Sequence, residues 1–512
     1  MRALARLVAL AALAGPAAAQ EADAPLSAID WLSRSVETAP PAANPAAAEP
    51  PVSGDATSPE ITVTPLDQPT ADPVGLLPPS VTGLPASLWS RSSEAALTEL
   101  VRGERIETLP AMQDLISMLM LAEADPPMDA GPGGALFLAR VDKLLDLGAL
   151  EPAAALLEAA GPVDDPERFR RWFDVSLLLG TEDAACAAMR DRPTIAPTLP
   201  ARVFCLARQG DWNAAALTLN TAIALGDVTP EEEALLTRFL DVTLDETAFP
   251  LPVPERVTPL MFRLYEAIGE ALPTADLPRA FAHADLREIT AWRLQIEAAE
   301  RLARNGAVSQ NVLFDLYTRQ SPGASGGVWD RAAAIQRFEA ALQDGPAAVA
   351  EALPEAWAAM EAIRAEVPFA QEYAAALAGV PLTGEAAALA HRIALLSPDY
   401  EAAALARPAD DGTGRLLNGV ARGDVAGLSP SGPAETAIVA AFAGAEVPQS
   451  AAELIEAGRL GEALLRAGTQ FNQGLAGDTT ALTGALATLR AVGLEDLARR
   501  AALQVLILDR AP

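Results

Sequence analysis

Three observations predict an all-α protein built of stacked helical hairpins. First, a short pattern recurs: Gly148, Gly180 and Gly210 stand 32 and 30 residues apart. Each is followed five positions on by an alanine (Ala153, Ala185, Ala215) and then by Ala154, Cys186 and Ala216. A period of that length belongs to arrays of helix pairs. Second, 51% of the 512 residues are hydrophobic but only 5% are aromatic, so alanine and leucine carry the apolar content and thin, close helical cores are expected. Third, valine and isoleucine do not alternate with polar residues, which leaves few strands to expect. The pattern has a physical reason. A helix pair cannot bury its apolar face alone, so neighbouring pairs stack. Alanine at the crossing lets the axes approach, and glycine supplies the positive-φ turn. A bundle of long heptad helices is the competing architecture, and the short Gly- and Pro-punctuated segments argue against it.

The spacing continues beyond the alanines. After Gly210 come Trp212, Ala215, Leu219 and Ala222; after Gly148 come Leu150, Ala153, Leu157 and Ala160. Gly458 (Leu460, Ala463, Leu464) and Gly493 (Ala498) repeat the early part 35 residues apart, although Glu495 stands where a large apolar residue would be expected. This resembles the second half of a tetratricopeptide repeat, in which a glycine ends the first helix and a large residue follows two positions later. A small residue at five lets the second helix pack, with core positions at nine and twelve. The first-helix signature of that family is weak here, and the resemblance covers about a third of the chain. It implies a helical-hairpin solenoid.

In chain order, residues 1–19 read as a secretory signal: Arg2 and Arg6, an apolar run over 7–14, then Ala17, Ala18 and Ala19 before an expected cleavage at Gln20. The apolar run is too short to span a membrane, and no later stretch is long enough. No cysteine follows it to accept a lipid. A retained N-terminal anchor is the alternative. Lys143 is the only lysine against many arginines, a bias usual in GC-rich bacterial genomes. The expected location is therefore the periplasm, with a fully extracellular product as the alternative and no integral membrane anchor.

Residues 20–86 are rich in proline, alanine and small polar residues and read as a disordered linker. Within it, 26–37 places Ile29, Leu32 and Val36 on one side of a short amphipathic helix, with Leu26 and Trp31 adding apolar surface. Ile29, Trp31, Leu32 and Val36 are the candidate partner-binding residues, because such helices dock into grooves. Folding back on the chain itself is the other outcome. The later apolar, Pro-rich part of the linker is expected to lie along the first helices as a strap.

The body divides into an N-terminal helical-repeat lobe over 87–320 and a C-terminal one over 328–512, with the flexible stretch 321–327 between them. A capping-box start is expected at Ser92 or Ser93 with Glu94. Helices are expected over 111–124, 135–147, 165–179, 259–271 and 284–305, with a proline-rich interruption over 245–259. Phe169, Trp172 and Phe173 form a core stripe, and Arg168, Arg170 and Arg171 its solvated edge. Cys186 and Cys205 are the only cysteines. In an exported protein they are candidates for a disulfide between the second helix of one unit and the first of the next. Two buried thiols are the alternative. The apolar C-terminal run LARRAALQVLIL calls for a cover, either the N-terminal segment or a partner.

Chemistry is scarce. The two histidines, His283 and His391, form no HExxH or zinc spacing. Gly323-Ala324-Ser325-Gly326-Gly327 matches GxSxG, but a nucleophile elbow needs a strand before it, and the preceding residues are helical. Acidic residues such as Glu231 and Glu233 lie at a helix start, where the macrodipole favours them. No cofactor and no metal are expected. A net charge of −31, or −33 without Arg2 and Arg6, disfavours nucleic acid and anionic lipid. The expected function is a non-enzymatic periplasmic scaffold or adaptor that binds an envelope protein. Two alternatives stand beside it. One is a cell-wall enzyme, since some lytic transglycosylases resemble this chain in their Ala-rich helical superhelix. The other is ice binding, since the Ala, Thr and Pro bias resembles chains labelled antifreeze-like, although regular Thr spacing is absent.

Overall fold

A computed structural model describes residues 70–241, 249–408 and 411–508. Among them are twenty-five α-helices, three 3-10 turns and no strand, so the chain is all-α. Glycine ends many of the helices. The helix Ala135–Leu147 stops at Gly148 (φ 81°), whose N–H returns to the Leu144 and Leu145 carbonyls. Gly180, Gly210, Gly458 and Gly493 are likewise left-handed. Five residues after these glycines, Ala153, Ala185, Ala215, Ala463 and Ala498 are all fully buried. A methyl at each of these points is as much as the neighbouring helix allows.

Residues 70–86 fall in the segment expected as a disordered linker, but with their neighbours to 89 they are ordered against the helices, in line with the strap expected of this part. The Asp72 carboxylate accepts the Phe137 N–H at 2.7 Å. The fully buried Arg140 donates to the carbonyls of Met120, Asp72 and Ala122. Leu76 and Leu77 N–H both reach the Leu121 carbonyl. Gly75 makes this approach possible, because a Cβ there would stand 2.2 Å from the Glu123 nitrogen.

Several elements differ from expectation. The start at Glu94 is a simple cap: Ser93 accepts from Ala96 N–H, and Glu94 turns away to bind the Gly131 and Ala135 N–H groups. The helix expected over 284–305 is two pieces, Ala282–Asp285 and Trp292–Ala303. The break is held by the Gln295 amide on the Arg287 carbonyl. Helix Pro259–Ala267 stops before 271 because Gly269 turns left-handed. Arg170 and Arg171 are buried rather than solvated. Arg171 grips Asp142 of helix Ala135–Leu147 with both arms, at 2.6 and 2.9 Å, a forked pair that compensates both charges.

The two ends of the body meet. Helix Leu460–Leu475 packs against Glu94–Gly103 and Pro110–Leu121. Gly461 N–H donates to the Leu88 carbonyl at 3.1 Å, with the buried Trp89 ring over the glycine. The apolar run 497–508 is covered by Pro110–Leu121. Gln504 there accepts the Ala111 N–H at 2.9 Å, and Arg500 pairs with Asp114 at 2.7 Å. One apolar core extends from Ala71 to Leu508. It continues past 321–327, where the Trp292 and Trp329 rings stand 5.0 Å apart and Arg331 pairs with Glu300 at 2.7 Å.

Candidate functional site

The helix Trp212–Leu225 has the sequence WNAAALTLNTAIAL, fourteen residues without a charge. Asp211 caps its start by accepting the Ala214 N–H, and Gly226 ends it. Ala215, Leu219 and Ala222 are buried at helical spacing against the preceding helix, Leu199–Arg208, and the following one, Pro230–Leu240. The opposite face carries Leu217, Ala224 and Leu225 together with Asn213, Asn220 and Thr221, all exposed. That face is uncharged but mixed in polarity, and its leucines are left uncovered.

The chain that follows carries further exposed apolar side chains. Trp212, given a core position by its spacing after Gly210, is 46% exposed and leans on Phe239 with ring centres 6.2 Å apart. Phe239 in turn stacks on Phe204 at 5.9 Å. Residues 249–253 are fixed by their backbone. Arg238 donates to the Phe249 carbonyl, Leu251 N–H to Glu270, and Tyr265 OH to the Pro252 carbonyl. Two of their side chains nevertheless stand in solvent: Phe249 is 90% exposed and Val253 69%. Five of the eleven large apolar side chains exposed among the described residues fall between Trp212 and Val253. Lone exposed apolar residues are ordinary, but a local concentration marks an interaction surface.

Cys186 and Cys205 form a disulfide beneath this surface, with Cα atoms 5.0 Å apart. It joins Asp183–Asp191 to Leu199–Arg208, the helix on which Trp212–Leu225 rests. The adjacent buried Glu182 accepts ion pairs from Arg208 and Arg263. The candidate residues Ile29, Trp31, Leu32 and Val36 lie outside the described residues.

The remaining chemical candidates are occupied structurally. His283 is buried and its Nε2 meets the Gly148 carbonyl at 2.6 Å; burial holds its pKa below the usual range. His391 meets the Asn418 amide oxygen at 2.8 Å. Ser325 is exposed in a loop between helices Gln310–Thr318 and Val328–Asp344. Glu231 and Glu233 stand in a first turn where Glu232 completes a capping box with Thr229. Among the described residues no group of three or more His, Cys, Asp or Glu could hold a metal, and no helix is long and apolar enough to cross a membrane.

Sequence reasoning missed Leu217, Leu225, Phe249 and Val253. The available signal was the absence of charge over 212–225 in a chain that is 21% charged. No family model matches the chain, and neither does any curated protein or solved structure.

Proposed function

We propose that the chain is a non-enzymatic helical-repeat scaffold or adaptor, exported to the periplasm, that binds another protein of the cell envelope. The observation that carries this reading is the uncharged outer face of Trp212–Leu225, with Leu217 and Leu225 exposed on it. A tetratricopeptide-like repeat is supported by the left-handed glycines and the buried alanine five residues after each. Export is supported by the signal-like start and by the disulfide, a bond that persists in oxidising compartments. Ile29, Trp31, Leu32 and Val36, outside the described residues, supply a second contact for the partner on this reading.

The test is site-specific photocrosslinking of the full-length exported protein, with the photoreactive residue at Leu217 or Leu225 and, as a control, at the equally exposed Leu405. One discrete protein adduct is expected from the first two positions and none from Leu405. Leu217→Asp should reduce the adduct formed at 225. No adduct, or the same adducts from Leu405, would overturn the reading. So would sustained release of peptidoglycan fragments by the purified protein, which would install the enzyme alternative. Cell fractionation with N-terminal sequencing should find the mature chain in the periplasm beginning at Gln20.

A further inference from the structure

Where the two ends of the body meet, they enclose a cavity of ≈ 260 Å³. Its wall comes from the beginning, middle and end of the fold: Arg105 and 107–109, Arg304 and Asn305, Arg364, and Asn472 with Leu475 and Ala476. The charge there reverses that of the molecule. In a chain of net charge −31, the wall carries Arg105, Arg304 and Arg364 against a single acid, Glu107. Glu107 is already engaged in an ion pair with Arg279. Arg105 and Arg304 make no side-chain hydrogen bond or ion pair among the described residues. The Thr108 hydroxyl, also in the wall, is buried without a partner. Burial and then the adjacent Arg279 lower the Arg304 pKa, against the opposing charges of Glu107 and Glu300.

A second observation is independent of the charge. Arg364 has φ 60° and is the only non-glycine residue with positive φ among those described. It follows the helix Pro346–Glu361 and closes it as Gly148 closes Ala135–Leu147. Arg364 N–H returns to Glu361 and Ala365 N–H to Met360, as Gly148 returns to Leu145 and Ala149 to Leu144. Glycine would take this conformation without strain, whereas arginine does not. An arginine kept where the backbone favours glycine points to a use for the side chain, which also has a partner within the protein.

We propose that this cavity binds a small polyanion through its phosphate or carboxylate oxygens, held by Arg105, Arg304 and Arg364, with Thr108 and Asn472 as further hydrogen-bond donors. Guanidinium forks match the oxygen pairs of both groups. Because the wall joins three separate parts of the chain, the ligand fastens the closure and raises the melting temperature by mass action. The site is independent of the apolar face proposed for the protein partner.

The experiment is calorimetric titration of the full-length protein with inorganic phosphate and, separately, with citrate, at an ionic strength fixed with sodium chloride. Saturable binding of at least one is expected. Phosphate alone assigns a phosphorylated ligand; citrate alone assigns a polycarboxylate. Arg364→Gly should raise the melting temperature of the free protein and weaken binding roughly tenfold or more, the loss of one forked ion contact. Arg304→Gln should weaken binding similarly, and if it fails to fold, Arg364→Gly decides alone. The absence of saturable heat with either anion up to about 10 mM, or unchanged affinity in Arg364→Gly, would overturn the proposal.

Discussion

Burying Glu104 makes the fold sensitive to pH near neutrality. Burial pushes its carboxyl from 4.5 up to about 7, against the opposing help of the Thr469 hydroxyl and the Lys143 charge. Between those values the folded chain holds a proton that the unfolded chain has released. The stabilisation is complete below about 4.5 and is lost as pH rises through about 7. Asp174, raised to about 7, and Asp72, raised to about 6, both chiefly by burial, act in the same sense. His283 and His391, lowered by burial, act in the opposite sense in any variant and cancel from a comparison. Glu104→Gln should therefore lose less stability between pH 5 and pH 8 than the wild type. Urea midpoints at the two pH values check this, and parallel losses would refute it. At this scale the sequence was only partly legible. The edge arginines were visible, but Asp142, the partner that buries Arg171, stands on another helix and no local pattern reveals it. Trp212 had the right spacing for a core residue, but among the described residues it stays half-exposed beside Phe239.

Among the helices, close approach is set by glycines of two kinds. Those that end helices, such as Gly148, were readable because the turn they serve is local. Gly461 was not, because the Trp89 ring that needs the space arrives from the opposite end of the body. A Cβ at Gly461 would stand 2.4 Å from that ring and 2.9 Å from the Leu88 carbonyl. Alanine gains about 1 kcal/mol over glycine inside a helix, but overpacking against a rigid ring typically costs about 1–3 kcal/mol. Gly461→Ala should therefore destabilise. Gly412→Ala, at a helix start with open space around it, should be neutral or mildly stabilising. Chemical denaturation of the two variants separates the outcomes, and a stabilised Gly461→Ala would show that the joint is looser than its geometry. The split of the helix expected over 284–305 has a similar origin. The sequence stays helix-compatible there, and the turn is fixed by Gln295 reaching back to Arg287.

For the whole molecule, the all-α class followed from composition and from the recurring glycine and alanine, while closure did not. A repeat pattern reports what each unit does with its neighbour and is silent on whether the last helices return to the first. In an open array the terminal units fray. Here Leu460–Leu475 is held by Glu94–Gly103, and Glu495–Ile507 by Pro110–Leu121. Hydrogen exchange should accordingly show the amides of these four helices as strongly protected as those of Pro346–Glu361. Early exchange of the two C-terminal helices alone would contradict the closed arrangement. A last consequence follows from Lys143. Its ammonium is enclosed, donating to the Arg102 and Glu104 carbonyls at 3.1 and 2.8 Å and pairing with Asp146 at 3.6 Å. As it is the only lysine in the sequence, the folded molecule presents no side-chain amine to a reagent in solution. Ester-activated dyes, biotin labels and amine-reactive linkers find no lysine handle on it, and a lysine-specific protease has no site to cut until the fold opens. Labelling of its side chains at the surface has to proceed through groups other than lysine, such as its carboxylates or arginines.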